Sequence, residues 1–100
     1  MAANIRYEDR LDGISNYLQW KVQLSVVLKE NKIDYYVNFV VEAPVEDHVS
    51  LDFHEVKEGK AQRIISDGVM NHLIPHLAEK NTAKEMWDAL KNLFEAKNEN

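Results

Sequence analysis

Apolar positions along this chain recur mostly at helical spacing. The clearest run lies toward the carboxyl end, where Ala83, Met86, Trp87, Leu90, Leu93 and Phe94 repeat at i, i+3, i+4, i+7, the pattern of one buried helix face. Thr82 with Glu85 three residues on precedes it as a capping box. The hydroxyl satisfies an orphan amide of the first turn and the carboxylate reaches back. A helix from 82 to about 97 follows. A second stripe, Tyr17, Trp20, Leu24, Val27 and Leu28, predicts a helix over about 16–31, with Asn16 as its cap and Gln19 closing a variant capping box.

The middle of the chain is less regular. Tyr35, Tyr36 and Val37 predict a short helix over about 33–38, while the β-branched run Val37 to Val41 is also what a short strand would use. No partner strand is evident, so the helix is the working assignment, and Pro44 with its acidic neighbours marks about 39–50 as an exposed loop. A third helix over about 51–70 would use Phe53, Val56, the stem of Lys60, Ala61 and Ile64. Gly59 and Gly68 each cost about 1 kcal/mol relative to Ala inside a helix, which points to close packing there or to a break near Gly68. Asn71 can cap a short helix carrying Leu73, Ile74 and Leu77, in which Pro75 sits too far in unless the helix starts near Ile74 and takes the proline in its first turn.

Residues 1–10 read as a polar arm with isolated Ile5 and Tyr7, Asp12-Gly13 as a turn, and 98–100 as a polar tail. Residues 11–97 are therefore expected to form one domain, an all-α, compact bundle of four or five helices. Its core anchors are Tyr17, Trp20, Leu24, Ile64, Trp87, Leu90 and Phe94, with the two tryptophans meeting near the centre. The first helix also carries a second apolar line, Leu18, Val22 and Val26 at i, i+4, i+8, on the side away from Trp20 and Leu24. Either this helix is buried on both sides, covered in part by the arm, or the line is exposed and docks on another subunit.

Four short motifs occur in order: Asp12-Gly13-Ile14-Ser15-Asn16-Tyr17-Leu18-Gln19-Trp20-Lys21, Lys60-Ala61, Leu73-Ile74-Pro75-His76-Leu77, and Thr82-Ala83-Lys84-Glu85-Met86-Trp87-Asp88-Ala89-Leu90. Their order and gaps resemble the amino-terminal capsid region of the Gag polypeptide of copia-type LTR retrotransposons. The resemblance implies a capsid amino-terminal-domain-like fold and a structural role in the cytoplasm, self-assembling by protein–protein contact into the shell of a virus-like particle. A domesticated Gag-derived module that binds a host partner or modulates assembly would carry the same motifs. In such a Gag, RNA is expected to be held by a basic zinc-knuckle tail that follows a second capsid half, and this sequence contains neither.

Composition narrows the chemistry. With 45% hydrophobic residues the chain can build a real core, and without cysteine it has neither a disulfide framework nor a thiolate zinc site. The net charge of −5 and the scattered lysines and arginines, most beside a carboxylate, describe a solvated helix surface and leave no basic face for phosphates. No secretory run and no apolar stretch of membrane-spanning length occurs. His72 and His76 stand at i, i+4, but Pro75 interrupts them and no third ligand has a recognisable spacing, so no metal site is assigned. Ser50 near His48, Asp52 and His54 superficially suggests a triad, yet triads are assembled in space from separate elements. No catalytic residue, no cofactor and no enzyme activity is expected.

Overall fold

The structure, a computed structural model, describes residues 5–42, 44–45 and 48–95. The first four residues of the arm, residues 96–97 of the predicted last helix and the 98–100 tail lie outside the described residues. Among those described there are four α-helices, three 3-10 turns and no strand: α1 (Tyr17–Glu30), α2 (Tyr35–Asn38), α3 (His48–Asp67) and α4 (Ala83–Phe94). The protein is all-α, as the apolar spacing predicts, and the run Val37–Val41 pairs with nothing as a strand.

Helix α1 buries Tyr17, Trp20, Leu24, Val27 and Leu28, the whole predicted stripe. Its carboxyl end closes through a Schellman motif: the Lys32 amide donates to the Lys29 carbonyl and the Ile33 amide to the Leu28 carbonyl, each at 3.0 Å. Lys32 occupies the left-handed position at φ 60°, where glycine is usual. The amino end departs from expectation. Asn16 stands at the cap position, but its side chain does not cap α1. Its Oδ1 accepts from the amides of Asp12 (3.0 Å) and Gly13 (3.2 Å), and its Nδ2 donates to the Arg10 carbonyl at 2.9 Å. The loop before the helix has three backbone groups to satisfy and takes the amide that the first turn would have used.

Helix α4 buries Ala83, Met86, Trp87 and Leu90, and Leu93 and the predicted anchor Phe94 are only partly buried against the core. Phe94 still meets Tyr17 at a ring separation of 5.3 Å. The Thr82 cap forms, its Oγ1 accepting from the Glu85 amide at 3.1 Å. Glu85 reaches back one residue further than a standard box, accepting from the Asn81 amide at 2.8 Å. The Ala83 amide is satisfied from outside, by Glu58 of α3 at 2.5 Å. Trp20 and Trp87 meet as expected, 5.5 Å apart.

Helix α3 starts earlier and ends earlier than predicted, and only its carboxyl half enters the core, through Ala61, Ile64 and Ile65. Phe53 and Val56, read as core from their spacing, are 63% and 66% exposed. The reason is length: twenty residues make a helix about 30 Å long, well beyond what the 12-residue α4 can cover. The break falls at Gly68. A Cβ there would lie 3.2 Å from the Ile64 carbonyl oxygen and 3.2 Å from Leu24 Cδ1, whereas one on Gly59 would meet nothing within 4 Å. The Gly68 carbonyl accepts from both Trp20 Nε1 (2.8 Å) and the Leu11 amide (2.9 Å), and the Met70 amide returns to the Leu11 carbonyl. Leu11, fully buried, thus forms an isolated parallel bridge with Val69 and ties the incoming chain to the end of α3.

The segment after that bridge, Asn71–His76, is a 3-10 turn with Pro75 inside it. Asn71 does not cap it; Met70 holds that position, and no side chain bonds there. Leu73 and Leu77 are buried and Ile74 is partly so.

Candidate assembly interface

The apolar line on α1 is open. Leu18, Val22 and Val26 are 72%, 65% and 50% exposed. At 100° per residue the three sit opposite the buried stripe, so the packing that fixes Trp20 and Leu24 in the core holds this face outward on a rigid helix. Among the described residues the arm leaves it open: Ile5 packs toward the core and Tyr7 is exposed. Ile14, four residues before Leu18 and 66% exposed, extends the apolar surface at the amino end of α1. Its spacing was visible in the sequence but it stood outside the predicted helix.

One flank of the face is fastened to the end of α4. Glu95 Oε2 accepts from the Tyr17 hydroxyl and, at 2.7 Å, from Lys21 Nζ. Burial raises the Tyr17 hydroxyl pKa strongly and the adjacent carboxylate adds to the rise, so this proton stays on the tyrosine. Glu95 shifts the other way, held below the usual carboxylate range by the Lys21 ammonium and the Tyr17 hydroxyl. Tyr17 and Glu95 are far apart in the chain, and no local motif announces the contact.

Two clefts lie beside α2. One, of about 210 Å³, runs between Phe39–Val41 and the first turns of α4. Its carboxylates are committed: Glu58 and Glu85 to backbone amides, and Asp88 to Lys84 Nζ at 2.7 Å. The other, about 340 Å³, lies between α2 and the start of α3, with Tyr35, Val41, Pro44 and Phe53 among its walls. Tyr36 Oη and His54 Nδ1 stand 3.2 Å apart at its base. Both clefts mix apolar side chains with charged and polar ones.

The histidines do not converge. His72 Nε2 lies 2.8 Å from the Asp12 carbonyl oxygen, His76 is exposed, and no group of three metal-ligating side chains occurs among the described residues. No described helix is long and apolar enough to cross a membrane. No protein-family model, curated protein or solved structure matches the chain.

Proposed function

We propose that this chain is a Gag-type capsid domain that self-assembles, with α1 as the helix that docks on a further copy. The observation that carries this reading is the exposed line Leu18, Val22 and Val26 on a helix whose opposite face is anchored in the core. The motif order from Asp12 to Leu90 supports the Gag assignment, and RNA would be bound by other parts of such a polypeptide.

The size of the face suits assembly by many weak contacts. Full burial of a Val or Leu side chain is worth about 1.5–3 kcal/mol, so the three, already partly covered, offer about 3–5 kcal/mol per copy. Association costs about 4–15 kcal/mol, which leaves a single contact weak and makes a shell depend on multivalency.

Light scattering behind size-exclusion chromatography, over a wide concentration range, tests this reading on the native chain and on Val22→Glu with Val26→Lys. Concentration-dependent association that the double change abolishes, with helicity unaltered by circular dichroism, is the expected result. A native chain that stays monomeric throughout overturns it. The exposed Phe39 and Val40 beside the α2 cleft favour a second reading, a module that binds another protein there. In that case Phe39→Asp would abolish binding to the partner while the α1 double change would not.

A further inference from the structure

We propose that the Phe39–Val40 peptide bond is a processing site. An endopeptidase that selects an aromatic residue cuts the folded chain there, and the two pieces stay together as one domain. Water adds across the bond, leaving a carboxylate on Phe39 and an ammonium on Val40. This step goes beyond self-assembly and does not depend on it.

An endopeptidase binds the residues around the bond it cuts in extended form, so a bond inside a helix is cut only after that helix opens. The bond after Phe39 needs little opening. Phe39 stands just past α2 in an extended conformation, φ −137° and ψ 154°, and is 63% exposed, while Val40 is 78% exposed. Val40, Val41 and Glu42 make no backbone–backbone hydrogen bond among the described residues. The β-branched run that pairs with nothing as a strand is therefore free to lie along an enzyme cleft. On the amino side only the single turn of α2 has to loosen, through the 3.0 Å bond from the Phe39 amide to the Tyr35 carbonyl.

The other aromatic residues are withheld from such an enzyme. Tyr7 and Tyr35 are exposed, but they sit in helical turns whose carbonyls accept from the amides of Arg10 and Phe39. Phe53 is exposed inside the twenty-residue α3. Tyr17, Trp20, Tyr36 and Trp87 are buried, and Phe94 is partly so.

The position of the cut explains why the pieces hold. Among the described residues no buried one lies between Val37 and Ala61, so cleavage removes nothing from the core. One piece carries α1 and α2 and the other α3 and α4, and α2 packs on both helices of the second piece. Trp20 stands 5.5 Å from Trp87 and donates to the Gly68 carbonyl at 2.8 Å, and Leu11 is bridged to Val69. What changes is the 210 Å³ cleft, whose wall is interrupted between Phe39 and Val40 and gains both new charges.

Limited digestion of the native chain with a small molar fraction of chymotrypsin, followed in time by intact mass, tests this inference. The first products expected are residues 1–39 and 40–100, eluting together at the volume of the uncut chain with helicity unchanged by circular dichroism. Phe39→Ser should slow the loss of intact chain by about tenfold or more, because every other aromatic bond waits on a larger opening, and Phe53→Ser should leave it unchanged. A first cut after Tyr7, Tyr35 or Phe53 overturns the site. So does a cut no faster than the opening of the core amides in hydrogen exchange. Pieces that separate or lose their helicity on cleavage overturn the two-piece domain.

Discussion

Gly68→Ala and Gly59→Ala make the same chemical change in and just after one helix and should move stability in opposite directions. Both glycines have negative or extended φ, so neither substitution forces a forbidden backbone angle. At Gly59 an added methyl meets nothing within 4 Å. Replacing glycine by alanine in a helix interior then gains about 0.5–1 kcal/mol, because the unfolded chain has less freedom to lose. At Gly68 the same methyl arrives 3.2 Å from the Ile64 carbonyl oxygen, 3.2 Å from Leu24 Cδ1 and 3.4 Å from Trp20 Nε1. Leu24 can yield, but the carbonyl is helix backbone and the indole is held by its bond to the Gly68 carbonyl. Overpacking of this kind costs about 1–3 kcal/mol. After the entropic gain is subtracted, Gly68→Ala should destabilise by about 0.5–2 kcal/mol. Urea titration followed by tryptophan fluorescence reads both variants, since Trp20 and Trp87 are buried together in the core that unfolding exposes. For a domain of this size 1 kcal/mol corresponds to about 4–8 °C in melting temperature, so the split is measurable. Equal or greater stability of Gly68→Ala would refute the close approach of α3 to α1.

Trp87→Ala, emptying a site 5% exposed against Trp20, should cost about 3–5 kcal/mol in the same titration, and a loss under 1.5 kcal/mol would mean the two rings do not share one core. Lys32→Gly should stabilise by about 0.5–1 kcal/mol, because a left-handed φ costs a residue with a Cβ about 1–2 kcal/mol and the freer unfolded glycine returns part of that. Glu95→Gln bears on acid sensitivity. The folded state lowers the Glu95 pKa, so its contribution is complete above the ordinary carboxylate pKa and fades as pH falls through the lower folded value. The two side chains are 33% and 37% exposed, which limits the loss near neutral pH to under about 1 kcal/mol. The difference in melting temperature between Glu95→Gln and the native chain should therefore shrink on acidification, and a difference that widens would contradict the assignment.

Legibility along this chain follows the range of the interaction. The stripes of α1 and α4 and the Thr82–Glu85 cap are set by residues within a few positions of each other, so periodicity and motif spacing sufficed to read them. Asn16 shows where that reading weakens: its position at the helix start was right, but Arg10, Asp12 and Gly13 compete for its side chain, and only the folded loop decides the outcome. Phe53 and Val56 have the spacing of a core stripe and lie on a helix that outruns its neighbours, a fact about relative lengths and docking that no local pattern contains.

By itself, then, the sequence determined that this is a helical protein, which faces of α1 and α4 are apolar, and that α1 has two such faces. Tertiary structure alone decided that the second is left uncovered among the described residues. It also set the contacts joining distant positions: Leu11 with Val69, Glu58 with the first turn of α4, and Tyr17 with Glu95. The physical reason is that a hydrophobic period states a preference for burial, whereas burial needs a neighbour, and neighbours are supplied only when the whole chain packs.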